Sequence, residues 1–119
     1  AKMKPQSAKN KGRRLQQWVR QALISRMGLD PADIESRSMG AGGEDIMLSA
    51  SARKKFPYSV ECKNTESLNV WKAYQQAKAN CGEYIPMLVI KKNREVPLVV
   101  VEAEHFFNKL VDNTIGDTV

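Results

Sequence analysis

Two short stretches decide how this chain folds: Gly43-Glu44-Asp45-Ile46 and Val60-Glu61-Cys62-Lys63-Asn64. In the second, apolar Val60 and Cys62 alternate with charged Glu61 and Lys63, the period of a strand with one buried face. Glu44 to Ser49 alternates in the same way, with Ile46 and Leu48 on one side and Asp45 and Met47 on the other. A period of two puts the Glu61 carboxylate and the Lys63 ammonium on the same side of a sheet. If the two strands are neighbours, Asp45 reaches that surface as well. Carboxylates so close repel each other unless a cation lies between them. Oxygen donors with no His or Cys cluster suit a hard ion, Mg²⁺ or Mn²⁺. The main-chain carbonyl of Cys62 can complete the protein's share of such a site. A bound ion makes its water a better nucleophile and stabilises charge on a phosphoryl oxygen. Lys63 would then hold the attacking water or offset the charge of the phosphorane. These are the parts of a phosphodiester hydrolase.

An acid-x-Lys triplet alone carries little weight, since a chain of this size holds roughly one by chance. Its plain reading is a solvated strand face with a surface ion pair. Three features raise it. The triplet lies on a strand by its own periodicity, a Gly-rich turn precedes Asp45, and a helix with Gln75-Gln76 follows.

Outward from this centre the elements fall into order. Leu15, Trp18, Val19, Ala22, Leu23 and Met27 make one apolar stripe of a helix from Arg13, ended by Gly28. Ile34 to Met39 is a weakly patterned strand. Ser51 to Pro57 is expected as a basic loop with Arg53, Lys54 and Lys55. Asn69 to Cys81 is a helix with Val70, Ala73, Tyr74 and Ala77 inward. Met87 to Ile90 and Val96 to Val101 are strands around the basic turn Lys91 to Arg94. The unbroken apolar run of the last strand suggests cover on both faces. Ala103 to Leu110 closes the order α-β-β-β-α-β-β-α, an α/β fold with a mixed β-sheet flanked by helices. Trp18 is expected to pack in the core, Trp71 in the core or a dimer surface, and Phe106 and Phe107 to anchor the last helix. His105 stands alone, far in sequence from the carboxylates, and has no expected catalytic part.

The chain has 119 residues, 42% hydrophobic and 27% charged, which bounds it to one globular domain. Residues 1–11 are expected as a basic flexible arm and 112–119 as a flexible tail. No apolar stretch is long enough to span a membrane, and the basic N-terminus shows no secretory signal pattern. Only Cys62 and Cys81 are present, in no metal-binding spacing, which suggests a cytoplasmic setting; free thiols are expected, with a Cys62–Cys81 bridge as the alternative. Net charge is +6, from 19 basic and 13 acidic residues. The eight basic residues before Asp30 have no acid among them, so the excess is segregated at one end. That is a footprint for a polyanion: nucleic acid first, an acidic membrane second, with a solubilising arm as the plain alternative.

The runs around Asp45 and Glu61, with Trp71-Lys72-Ala73-Tyr74-Gln75-Gln76-Ala77, resemble the PD-(D/E)XK nuclease superfamily, above all phage endonucleases and archaeal-type Holliday junction resolvases. The likeness covers roughly 11–110 and includes the hairpin from Ile90 to Val100. It implies a restriction-endonuclease-like core with a Mg²⁺ site at one sheet edge, Mn²⁺ substituting. Asp45 takes the place of the central aspartate, preceded by Glu44 where Pro is common. Glu61 takes the second ligand, Lys63 the motif lysine, and Gln76, or less well Gln75, the helix glutamine. Gln16 falls where resolvases carry a first-helix Glu, an amide that brings no charge. Lys9, Lys11, Arg13, Arg14 and Arg37 are then expected to contact DNA phosphates, with the helix dipole helping at the first helix. The Arg53 to Lys55 stretch is an extension of the track for which plain solvation is the stronger reading. Ser36 and Ser38 lie where relatives approach DNA. The resemblance implies a structure-specific endonuclease acting on branched DNA as a homodimer, in the host cytoplasm if phage-encoded. The alternatives are a nuclease for linear, nicked or flapped DNA, and a nucleic-acid-binding module without a working metal site.

Overall fold

A computed structural model describes residues 5–36 and 44–118, with side chains described over 7–36 and 44–112. α1 (Pro5–Met27) begins well before Arg13, so the segment 5–11, read from sequence as part of an arm, is helical. Leu15, Val19 and Leu23 recur every fourth residue and are buried, which lays α1 along β3 (Tyr58–Asn64). Gly28 ends the helix at φ +70°. The Leu29 amide donates back to the Leu23 carbonyl at 3.2 Å, and both side chains are buried. With Gly28 in the left-handed region, this bond turns the chain back over the last turn of the helix.

β1 (Ile34–Ser36) and β2 (Ile46–Leu48) pair antiparallel, Ile34 opposite Leu48 and Ser36 opposite Ile46. β2 is shorter than the strand expected over Glu44 to Ser49. The part of the expected first strand beyond Ser36 lies outside the described residues, as do Arg37, Ser38 and the Gly40 to Gly43 turn. Ile46 is fully buried and Met47 exposed, the alternation expected of that segment. The expected basic loop is a helix instead, α2 (Ala50–Lys55), because the Ser49 side chain accepts the Ala52 amide and caps it.

β3 runs parallel to β4 (Ile85–Lys91), with Glu61 opposite Leu88 and Cys62 opposite Val89. α3 (Val70–Ala79) makes the crossover between them. It meets the sheet through buried Ala73 and Ala77, small residues that let its axis come close. β5 (Leu98–Val100) returns antiparallel on β4, and α4 (Ala103–Thr118) follows, running past Leu110 where the sequence pattern ended it and so into the expected tail. The result is a mixed three-strand ladder in the order β3-β4-β5, a two-strand hairpin beside it, and helices around them, as in a restriction-endonuclease-like α/β core.

Three packing expectations are corrected. β5 is not covered on both faces: Leu98 and Val99 are more than half exposed, because β5 is the outer strand of the ladder. Trp18 is 44% exposed rather than core, since its position on α1 overhangs the sheet's end. Phe106 and Phe107 do not anchor α4 in the core. They stack edge to face at 5.6 Å and remain at least half exposed. The tie of α4 to the body is His105, whose Nε2 lies 2.7 Å from the Tyr58 hydroxyl.

The Gly28 stop gives a clean test. A Cβ there meets nothing within 4 Å, so Gly28→Ala adds only the backbone cost of φ +70°. Denaturant unfolding should show a loss of about 1 kcal/mol, with the m-value unchanged.

Candidate functional site

β3 is the outer strand of its ladder on the side away from β5, so alternate backbone groups leave it unpaired by β4. Residue 45 occupies that edge twice. Its amide donates to the Val60 carbonyl at 2.9 Å, and its Oδ2 accepts the Cys62 amide at 2.7 Å. In a strand the amide and carbonyl of one residue point the same way. The Cys62 carbonyl therefore opens on the edge that holds Asp45.

Glu61 is 4% exposed, and its Oε1 lies 4.0 Å from Lys63 Nζ, as a shared strand face requires. Its Oε2 is buried with no hydrogen-bond partner. Burial pushes the Glu61 carboxyl up to about 7, and the neighbouring negative charge of Asp45 adds to the rise. Lys63 and a hydrogen bond from the Asn80 side chain pull it back only in part. The two carboxylates therefore converge closely enough to act on each other's charge. The Cys62 thiol, held up first by burial and then by both acids, stays protonated.

These residues suit a hard divalent cation. The facing donors are oxygens, one is a buried acceptor without a partner, and the net charge around them is negative. Among the described residues, no group of three or more His, Cys, Asp and Glu side chains gathers at one point. An ion here would therefore draw further ligands from main-chain carbonyl and water.

Arg53 supports the site from behind. Its side chain is 8% exposed and pairs with Glu44, the residue before Asp45. It also donates to the Tyr58 carbonyl at 2.9 Å and stacks over the Tyr84 ring at 4.1 Å. One guanidinium thus ties the Asp45 segment to the start of β3 and to the entry of β4. Its charge is used inside the protein, so Arg53 does not extend an exposed basic track; Lys54 and Lys55 beside it are exposed.

The other expected site residues divide. Gln16 is 1% exposed, on the face of α1 that packs against the sheet. Gln76 is exposed, and it is Asn80, one turn later, that reaches Glu61. Asn80 was missed in sequence, although its spacing of four from Gln76 puts both on one side of α3. Lys9, Arg13 and Arg14 are exposed on α1. Lys11 is buried, its ammonium 3.8 Å from Glu66 and its carbonyl accepting from Asn64 Nδ2 at 3.0 Å. It holds α1 to the end of β3. Because α1 starts at Pro5, these cations lie beyond its first turn, and the helix dipole gives them little help.

The raised Glu61 carboxyl sets a pH dependence. Folded Glu61 keeps its proton to about 7, whereas an unfolded one releases it near 4.5. The folded state thus binds more protons across that window, and stability falls as pH rises through it. In a chelating buffer Glu61→Gln should melt above the wild type at pH 8, by up to about 3 kcal/mol, and the gap should close below pH 5. Equal melting temperatures at pH 8 would show that the carboxylate is not held at a cost.

No curated protein and no solved structure matches this chain. A family model described as "Phage putative PDDEXK endonuclease" matches residues 7–118. That span runs from α1 through α4 and includes both carboxylates, Lys63 and the parallel β3–β4 pair. With nearly its whole length matched, the chain belongs to the phage PDDEXK endonuclease family.

Proposed function

We propose that the protein is a metal-dependent endonuclease that hydrolyses phosphodiester bonds in branched DNA, in the manner of a Holliday junction resolvase. The observation that supports the metal-dependent reading is that Asp45 and Glu61 lie close enough to act on each other's charge, with Glu61 Oε2 buried and unpartnered and Lys63 nearby. Asp45, Glu61 and the Cys62 carbonyl would hold Mg²⁺, with Mn²⁺ as substitute. The ion supplies an activated water and charge stabilisation. Lys63, 31% exposed, is free to turn from Glu61 toward a phosphate and offset the charge that develops there. Asn80 keeps the Glu61 carboxylate in place. Exposed Lys9, Arg13 and Arg14 give α1 a cationic face for DNA phosphates, which makes binding salt-sensitive.

A homodimer fits this reading, since paired sites cut opposed strands. Trp71, Val96, Leu98, Val99, Phe106 and Phe107 are each at least half exposed, on β5 and the segments beside it. Consecutive strand residues face opposite ways, so Leu98 and Val99 lie on the two faces of β5, and the exposed outer strand with Leu98 is the surface proposed to meet a second copy. The second reading is a nuclease for flapped or linear ends, which needs one site only. Sedimentation separates them, with a dimer expected and Leu98→Lys expected to yield monomer.

Four-way, flapped, nicked and linear DNA should be compared in Mg²⁺. Paired cuts in the four-way substrate are expected, with loss of cutting in chelator. Asp45→Asn or Glu61→Gln should lower the rate at least about 10³-fold and Lys63→Met about 10²-fold, with DNA affinity held within about threefold. Cutting that survives either acid substitution would overturn the site.

A further inference from the structure

A groove of about 290 Å³ lies where α1 passes the hairpin between β4 and β5. Its walls include Arg14, Trp18, Asn64, Lys91 and Asn93, and the Lys11 side chain reaches it from beneath. Among the described residues, no carboxylate lines it. Glu66 is committed to two groups beside it: its Oε2 accepts the Asn93 amide at 2.7 Å and pairs with Lys11 at 3.8 Å. That one carboxylate fixes the hairpin turn against α1 and so sets the groove's width. Trp18 is the feature that packing leaves unexplained. It is 44% exposed, with the Arg26 guanidinium, about two turns further along α1, 5.7 Å from its ring centre, and Arg14 about one turn before it.

From this geometry we infer that the groove binds one unpaired nucleotide of a DNA strand. Trp18 stacks its base, and Arg14 and Lys91 hold the phosphates on either side. An aromatic wall between cations is the pattern of single-strand recognition, because every base has a stacking face and every linkage a negative charge. The volume suits a small ligand and is too narrow for a duplex. The inference rests on the DNA reading above and names the feature of branched DNA that is recognised: bases that leave the stack at a junction or flap. The groove stands apart from the carboxylates. Asn64 is one step beyond Lys63 on β3 and faces α1, whereas Glu61 and Lys63 face the other way.

The chain's other tryptophan is Trp71, so Trp71→Phe leaves Trp18 as the single fluorescent reporter. This protein, in chelator, is titrated with oligothymidylate, a flapped duplex, a blunt duplex of equal length, inorganic phosphate and an acidic peptide. Trp18 emission should change saturably with oligothymidylate and the flap, and not with the other three. By anisotropy, Trp18→Leu and Lys91→Gln should each weaken flap affinity about tenfold and blunt-duplex affinity less than about twofold. Mn²⁺ affinity, by calorimetry, should equal the wild type's in both, which also shows that they fold. Emission that stays constant while anisotropy reports bound flap, an equal loss on both DNAs, or a full response to phosphate or peptide would each overturn the groove assignment. A Trp18 response in the Trp71→Phe protein, with no Mn²⁺ binding by it or by the wild type, would instead remove the carboxylate reading and leave this one standing.

Discussion

The hydrogen bond from the Cys62 amide to Asp45 Oδ2 is the contact on which the site depends. An outer strand has amides and carbonyls with no ladder partner, and β3 meets that need with a single residue of another segment. Asp45 answers one carbonyl with its amide and one amide with its side chain. The same contact that satisfies the edge also brings a carboxylate beside Glu61. The chain thus satisfies its edge strand at the expense of a repulsion, and the rise of the Glu61 carboxyl is the sign of that repulsion and of burial. On the proposed reading, a divalent cation bound between the two acids would relieve it.

Support around this contact comes largely from one side chain. Arg53 reaches Glu44, Tyr58 and Tyr84, which belong to three separate segments. Where relatives are expected to stiffen the residue before the aspartate with Pro, this chain uses a buried ion pair. Lys11, Glu66, Asn64 and Asn93 do similar work at the opposite end of β3, joining α1 to the β4–β5 turn. Removing Glu44 would leave the buried Arg53 cation uncompensated, which makes that pair more constraining than its attraction alone suggests, whereas Glu66 is half exposed and its pair with Lys11 costs less to break.

The molecule has two unlike surfaces. α1 presents cations and one half-open indole, suited to a polyanion with exposed bases. β5 and α4 present apolar side chains at a sheet's outer strand, suited to another protein surface.

Most of the local order was legible in the sequence. Periods of two at 44–49 and 58–63, and a stripe at Leu15, Val19 and Leu23, name strands and a helix because burial of one face leaves a periodic trace. Glu61 and Lys63 share a face for the same reason. What local pattern could not supply was partner choice. Arg53 reads as a loop cation until Glu44 is found beside it, Lys11 as a phosphate ligand until Glu66 is, and Trp18 as core until the sheet is seen to end beneath it. Asn80 has no signature of its own, since its role exists only where the end of α3 passes over β3. The sequence by itself determined the apolar stripe of α1, the strands around 46–48 and 58–64 and which side of β3 carries charge, since those follow from neighbours along the chain. Only the tertiary structure decided which charges are neutralised inside and which remain for a ligand, because pairing depends on contacts between segments that no periodicity records.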